Sequence, residues 1–235
     1  DLSWEYLDTK SLINRVAKTI FTKSALFNLK LFKIISVTND HEFEYISKYV
    51  SDYQNMIKVP NGVSLSIFEQ LCSVTVNSSN IKTVTYIGNV GLAQDLSTLV
   101  EVSKQLPHIQ FNIVGAGTDF DRVHALAGNT ALNLKFFGRK SFDELIEVYN
   151  STDILYAQLT PDFETAMPSK LYEYLSTGKY IIYGVQGVAS ATLSKFENVS
   201  LIQPCNIETL KLEVEKIFED FNPVLSVSNR EKIRA

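Results

Sequence analysis

The sequence contains few metal-ligating or disulfide-forming residues and no long apolar run. Of its 235 residues, three are His and two are Cys. Cys72 and Cys205 lie far apart without a His or Cys neighbour at metal spacing, which favours two reduced thiols over a metal site or a disulfide. No segment approaches the roughly 18 uninterrupted apolar residues of a membrane span. Residues 1–10 lack the basic and apolar regions of a secretory signal, so a cytoplasmic protein is expected.

Positive charge does not exceed negative charge either, with 22 Lys and Arg residues against 26 Asp and Glu residues. The formal net charge is −4, and no run rich in Lys and Arg is interleaved with aromatic residues, so a nucleic-acid-binding protein is disfavoured. Apolar residues make up 45% and charged residues 20% of the chain, which is typical of a folded globular protein. The length fits one large domain or two modest ones.

The exception to this charge balance is the segment 10–33, which is predicted to form one basic amphipathic helix without an acidic residue. Two interpretations of it stay open. Its apolar face packs inside a first domain, or the helix makes peripheral contact with the inner surface of an anionic membrane. The apolar positions are Ile13, Val16, Ala17, Ile20, Phe27 and Leu31, and the cations are Arg15, Lys18, Lys23, Lys30 and Lys33.

A change of pattern near the first third of the chain predicts two domains. Short strands are expected at 34–37 and 56–59, after which periodicity is lost and the sequence becomes polar. We therefore place a linker at 67–80. It separates a partial amino-terminal α/β segment, 1–66, from a larger domain, 81–235, whose last helix is expected to be truncated.

The larger domain alternates strands with helices, which predicts right-handed βαβ units and a parallel sheet covered on both faces. The fold class is therefore α/β, a Rossmann-like doubly wound sheet preceded by a partial α/β domain. The predicted strands are 83–87, 110–114, 134–137, 153–157, 180–183 and 200–202, and the predicted helices are 95–105, 119–127, 142–149, 169–177, 188–196 and 207–218.

Two glycine-rich loops follow the first two of these strands. Because ligands bind at the carboxyl ends of parallel strands, Gly88-Asn89-Val90-Gly91 and Gly115-Ala116-Gly117-Thr118 are candidates for contact with a phosphate. A structural turn that needs glycine for its shape is the alternative for each. A dinucleotide site is disfavoured, because Phe120 occupies the position of the third glycine in that motif.

Charged side chains follow two later strands. Arg139 and Lys140 come just after a strand end and could meet a nucleotide, or could form a solvated rim. Pro168 and Ser169 are predicted to start a helix. Lys170 then lies in its first turn, where the helix dipole disfavours a cation, which suggests an anionic partner there.

Glu173 stands three residues after Lys170, so both side chains project from one side of the helix start. The carboxylate is suited to accepting two sugar hydroxyls, and the lysine to a diphosphate. An ordinary Lys–Glu helix pair is the alternative.

The segment Val84–Gly178 resembles the carboxyl-terminal domain of retaining GT-B glycosyltransferases of the E-x7-E family, because its motifs occur in the same order and spacing. The resemblance is greatest to the bacterial surface-polysaccharide branch of that family, which makes capsule and O-antigen. Upstream, 59–63 resembles the segment that joins the two domains of such enzymes. The stretches that carry the resemblance are Tyr86 to Gln94, Ile113 to Gly117, Phe137 to Arg139, Thr152 to Ile154 and Pro168 to Tyr174.

The resemblance implies a nucleoside-diphosphate sugar, with UDP as its nucleotide, as donor substrate, and no separate cofactor. Glu173 would bind the ribose, Lys170 would hold the diphosphate, and the backbone around Arg139 would meet the base. Lys170 and Glu173 would be the catalytic residues, and Thr165 and Met167 would face the donor sugar. The implied nucleotide-binding set is Gly88, Asn89, Val90, Gly91, Gly115, Arg139, Ser169, Lys170 and Glu173.

Two features depart from that family. The first Glu of its motif is replaced by Thr165, with Glu164 one position away, and basic residues are absent from the first glycine loop. The Asp119-Phe120-Asp121 triplet falls at a predicted helix start and is read as capping rather than as a Mg²⁺ site, so metal-independent chemistry is expected.

Three functions remain open. The first is a transferase that acts on a glycan or polyprenyl-linked acceptor. The second is a nucleotide-sugar-binding module without turnover, since the first domain is incomplete. The third is a sugar-nucleotide epimerase, which three scattered histidines disfavour.

Overall fold

The computed structural model describes residues 9, 11–50, 55–163, 166 and 168–234. The chain divides into two compact units, Asp1–Asn61 and Gly62–Ala235. No helix in the described part of the chain is long and apolar enough to cross a membrane.

The described part of the first unit, residues 9, 11–50 and 55–61, contains two helices and a pair of short parallel strands. Ser11 and Asn39 cap the two helices by accepting backbone N–H bonds with their side chains. Its small core consists of Ile35, Val37, Ile46 and Met56. The elements are α1 (Leu12–Leu29), β1 (Ile35–Val37), α2 (Asp40–Ser47) and β2 (Met56–Lys58).

The second unit begins before the linker predicted at 67–80, and the boundary moves to Asn61/Gly62. Helix α3 (Leu65–Cys72) occupies the start of that stretch. Leu71 and Val74 are almost fully buried in a core that also contains residues of later helices. The segment has too few turns to show a helical period, which is why the sequence looked irregular there.

The second unit is built on a parallel sheet of six strands in the order β5-β4-β3-β6-β7-β8. This confirms the predicted α/β class. Strands β3 and β4 coincide with their predicted ranges, β5, β7 and β8 differ by one residue at one end, and β6 is shifted by one residue. The strands are β3 (Thr83–Ile87), β4 (Gln110–Val114), β5 (Leu134–Phe136), β6 (Ile154–Gln158), β7 (Tyr180–Gly184) and β8 (Val199–Ile202).

Helices connect these strands in βαβ fashion, as predicted. A short 3-10 helix at Pro161–Phe163, which the sequence analysis did not predict, follows β6. The helices are α4 (Ser97–Gln105), α5 (Phe120–Ala127), α6 (Phe142–Asn150), α7 (Lys170–Thr177), α8 (Val188–Leu193), α9 (Ile207–Glu219) and α10 (Val227–Arg234).

Two apolar cores cover the two faces of this sheet. Along β3, Val84 and Tyr86 point into the core formed with α4, α5 and α9, whereas Ile87 joins the core formed with α3, α6 and α7. This alternation follows from the two-residue period of a strand. Both faces are therefore buried, and functional groups are left to the loops at the strand ends.

The loops after β3 and β4 interlock at the carboxyl edge of the sheet. The Gly88 amide donates to Val114 O at 2.9 Å, and the Gly115 amide donates to Gly138 O at 2.7 Å. Gly115 has φ +143°, and a Cβ there would lie 1.8 Å from Gly88 O. Only glycine permits this approach, so these two loops hold each other in place.

We expect Gly115→Ala to lower the free energy of unfolding by about 3 kcal/mol or more, because it adds a backbone clash to an unfavourable φ. Gly138→Ala is the matched control, since Gly138 also has positive φ but no atom within 4 Å of its Cβ position. Its expected loss is about 1 kcal/mol. Urea unfolding followed by circular dichroism measures both, and equal losses would contradict the interlocked arrangement.

Candidate functional site

The ends of β3, β4 and β6 and the start of α7 enclose two adjoining cavities at the carboxyl edge of the sheet. The first has a volume of about 390 Å³ and the second about 300 Å³. Gly88, Asn89 and Lys170 line both, so the two cavities lie side by side. This is the edge at which open parallel sheets bind ligands.

At the start of α7, Lys170 and Glu173 form an ion pair. The Lys170 Nζ lies 2.7 Å from Glu173 Oε2, and the two side chains keep 30% and 23% of their exposure. The ordinary i,i+3 helix pair foreseen as an alternative is therefore present. Because Lys170 also lines both cavities, the pair lies beside the site and Lys170 can reach a ligand in it.

Ser169 precedes the first residue of α7 and lines the first cavity. Its backbone is already helical, with φ −61° and ψ −33°, and its side chain makes no capping bond. The Leu171 and Tyr172 amides already donate to Pro168 O and Ser169 O, at 3.3 and 3.1 Å, so this end of α7 attracts an anion mainly through the positive end of the helix dipole.

The hydroxyl of Tyr174 fixes α7 against the sheet. It accepts a hydrogen bond from the Ile87 amide at 2.7 Å and lies 2.9 Å from Ile87 O, to which it donates. Burial raises the pKa of Tyr174, so the hydroxyl keeps its proton. This bond joins α7 to the last residue of β3 and thereby places Lys170 beside the first glycine loop. The sequence analysis missed this role, although a tyrosine on the apolar side of α7 was the available signal.

The floor of the first cavity is organised by Gln158, another residue that the sequence analysis missed. Its Nε2 donates to Gln94 O at 3.0 Å and to Asp95 O at 2.9 Å, and its Oε1 accepts from the Cys205 amide at 2.8 Å. Asp95 has φ +33°, an unusual value for a non-glycine residue, and these bonds stabilise that turn. The signal that the sequence offered was an amide side chain directly after the predicted strand 153–157.

In the first glycine loop, the structure separates residues that face the site from residues that support it. Gly88 and Asn89 line the cavities, whereas Val90 and Gly91 do not. Val90 is fully buried, its amide donates to Ala116 O at 3.1 Å, and its carbonyl accepts from Asp119 N at 3.0 Å. Both backbone groups of Val90 are thus already engaged with the chain.

Both cations after β5 line the second cavity, and Lys140 is paired with an acid of the chain. The Lys140 Nζ lies 2.7 Å from Glu144 Oε1, and this contact, with bonds from Ser141, lowers the pKa of Glu144 to about 2. Arg139 is exposed and lines the second cavity together with Gly115. Both alternatives of the sequence analysis, contact with a nucleotide and a solvated rim, therefore stay open for these two cations.

In the Asp119-Phe120-Asp121 triplet, the carboxylate of Asp119 is paired with a cation of the chain itself, Arg122. Arg122 Nε and Nη2 each donate to a carboxylate oxygen of Asp119 at 2.6 Å, and Nη2 also reaches Asp95 at 3.0 Å. Asp119 makes no side-chain capping bond, which differs from the predicted role. Among the described residues, no three His, Cys, Asp or Glu side chains cluster as metal ligands would.

The site therefore brings together Gly88, Asn89, Gly115, Arg139, Ser169 and Lys170 of the predicted set, with Glu173 held to Lys170. Thr165 and Met167, the predicted contacts of a donor sugar, and Glu164 lie outside the described residues. Cations and the N-terminal end of α7, beside closely packed glycine loops, can bind an anionic ligand, and the adjacent carboxylate can accept hydroxyl groups.

Comparison with known proteins agrees with this geometry. WcaI of Escherichia coli (strain K12), named as a colanic acid biosynthesis glycosyl transferase, is 27% identical over 172 residues, which are 68% of this chain and 42% of WcaI. The chain thus spans less than half the length of that relative.

Solved structures share the fold. Sucrose-phosphate synthase from Thermosynechococcus elongatus superposes with a TM-score of 0.76 at 19% identity, covering 99% of this chain and 60% of that one. HepE from Anabaena, solved in complex with UDP and glucose, gives a TM-score of 0.65 at 15% identity, with coverages of 91% and 59%. The profile described as glycosyl transferases group 1 matches residues 73–233, about two thirds of the sequence and nearly all of the second unit. The chain therefore belongs to the group 1 glycosyl transferase family.

Proposed function

We propose that the second unit binds a nucleoside-diphosphate sugar as donor and that the whole protein transfers its sugar to a glycan or polyprenyl-linked acceptor. The observation that carries this proposal is the Lys170–Glu173 pair at the start of α7, next to the interlocked glycine loops. The two adjoining cavities provide room for the two ends of such a donor.

In this proposal the nucleoside occupies the second cavity, near Gly115 and the backbone of Arg139. Glu173 accepts the ribose hydroxyls, and the diphosphate lies against Lys170 and the Gly88–Asn89 backbone. The sugar extends into the first cavity towards Ser169, with Thr165 and Met167 kept as predicted sugar contacts. HepE, which has the same fold, is described in complex with UDP, and this supports UDP as the nucleotide.

The chemistry proposed is retaining and independent of metal. As the sugar leaves, negative charge grows on the diphosphate, and the Lys170 ammonium with the N-terminal end of α7 would stabilise it. Preorganised cationic and N–H donors of this kind can replace a divalent ion. The anomeric configuration of the sugar in the product, compared with that in the donor, tests retention directly.

A role in bacterial surface-polysaccharide synthesis, such as capsule or O-antigen, is the biological setting that we propose. It is supported by the similarity to WcaI, whose name refers to colanic acid biosynthesis. A binding module without turnover is the second candidate, because the chain spans only 42% of WcaI. Sugar transfer by the whole protein would exclude that second candidate.

We also propose peripheral contact of the protein with the inner membrane surface through α1. No residue of α1 is buried among the described residues, and Leu12, Ile13, Ile20 and Phe27 are each more than 60% exposed. The cations of this helix complement anionic lipid. The proposal keeps the protein cytoplasmic, bound at the membrane surface where a polyprenyl-linked acceptor is found.

We expect the chain to bind UDP and Glu173→Ala to weaken that binding at least about tenfold, because hydrogen bonds to a charged group are lost. Isothermal titration calorimetry with UDP and GDP measures the affinity and identifies the base. Repeating the titration in EDTA tests independence from metal. Wild-type affinity in the variant would contradict the assignment of the ribose to Glu173.

A vesicle-binding measurement tests the proposed contact of α1 with the membrane surface. The double variant Lys23→Glu with Lys30→Glu is expected to reduce binding to vesicles containing phosphatidylglycerol by about tenfold or more, at roughly 1 kcal/mol per cation. The matched control is Lys216→Glu, a charge reversal at an exposed lysine of α9 in the second unit. Vesicle sedimentation measures both, and equal binding by the double variant and the control would exclude α1 as the contact.

A further inference from the structure

Tyr149, near the end of α6, carries a buried hydroxyl that the fold does not use. The side chain is fully buried, and among the described residues the hydroxyl has no partner at hydrogen-bonding geometry. Burying a hydroxyl without a hydrogen bond is unfavourable, and such groups are rare in folded proteins. A buried donor that remains unpaired suggests a partner acquired in another state of the site.

The surroundings of Tyr149 place that partner on α7. Its ring packs edge-to-face on Tyr174, with the ring centroids 6.3 Å apart and an angle of 83° between the planes. One turn earlier on α6, Leu145 lines the second cavity together with Lys170, which lies one turn before Glu173 on α7. The faces of α6 and α7 that carry Tyr149 and Glu173 are therefore turned towards each other.

Electrostatics fixes the direction of a bond between them. Burial raises the pKa of Tyr149, and the nearby Tyr174, the charge of Glu173 and the interaction of the hydroxyl with its carboxylate raise it further. The phenol therefore keeps its proton, so the hydroxyl donates and the carboxylate accepts.

We infer that Tyr149 is a positioning residue for Glu173: its hydroxyl donates to the carboxylate and holds it in the orientation that accepts the ribose hydroxyls. This inference rests on the proposed function of the site. Tyr149 is fully buried, whereas the Glu173 side chain keeps 23% of its exposure, so Tyr149 acts through Glu173 rather than by touching the donor.

Glu173 needs a second hydrogen-bond donor because Lys170 has two roles: it pairs with Glu173 in the ligand-free structure, and it is proposed to bind the diphosphate. In the ligand-free structure the Lys170 ammonium holds Glu173 Oε2 at 2.7 Å. A diphosphate in the site draws that ammonium away from the carboxylate, and Glu173 then loses the cation that pairs with it in the ligand-free structure. A carboxylate has two oxygens and about four lone-pair positions, so a bond from Tyr149 leaves acceptors free for two ribose hydroxyls.

The test compares the affinities of the chain for UDP and for 2′-deoxy-UDP by calorimetry. Tyr149→Phe removes only the hydroxyl, and we expect it to weaken UDP binding roughly tenfold while reducing the preference for UDP over the deoxy nucleotide. The thermal midpoint of unfolding is expected to stay unchanged or to rise, because an unpaired buried hydroxyl is lost. In a Glu173→Ala background, the same change is expected to have no further effect on affinity.

Tyr180→Phe is the matched control, since Tyr180 begins β7 at the opposite edge of the sheet and packs on Phe221. It should leave both affinities at wild-type values. If Glu173→Ala weakens UDP binding but Tyr149→Phe preserves the wild-type ratio of affinities, the inference about Tyr149 is wrong and the proposed function stands. If Glu173→Ala has no effect, the ribose assignment and the inference both fail.

Discussion

The close approach of Gly115 to the carbonyl of Gly88 is the constraint on which the site depends. A Cβ at Gly115 would lie 1.8 Å from that oxygen, so the loops after β3 and β4 can meet only through glycine. The Gly115 amide also reaches Gly138 O, which brings the loop after β5 to the same edge. Three loops thus meet at one edge of the sheet and line the same cavity.

The second support of the site is the bond from Tyr174 to the end of β3. It sets the position of α7 relative to the glycine loops and therefore of Lys170 relative to the backbone of Gly88. Lys170 is held by Glu173 in the absence of a ligand, which offsets the unfavourable placement of a cation in the first turn of a helix. An anionic ligand can replace Glu173 as the partner of Lys170. The same lysine is then placed to contact the diphosphate that joins the nucleoside and the sugar of the proposed donor.

Local patterns in the sequence predicted most of the second unit. Strands β3 and β4 were placed correctly because apolar runs end at glycine there, and Lys170 was singled out because its position conflicts with the helix dipole. Contacts between distant segments were not predictable from one sequence. The burial of Leu71 depends on other elements of its core, which is why α3 was mistaken for part of a linker, and the bonds of Gln158 join the ends of β6, β8 and the loop before α4. The roles of Val90 and Gly91 stay predictions: neither residue lines the two cavities, and motif position does not reveal which amides the fold already uses, as it uses that of Val90.

The most direct test of the central claim, that the glycine loops and the start of α7 form the nucleotide site, is an amide chemical-shift titration. The ¹⁵N-labelled chain is titrated with UDP, and the affected residues are mapped by NMR. We expect the largest shifts at Gly88, Asn89, Gly115 and Lys170, with small changes in Asp1–Asn61. Saturating shifts centred on other residues, or no shifts at millimolar UDP, would contradict the claim.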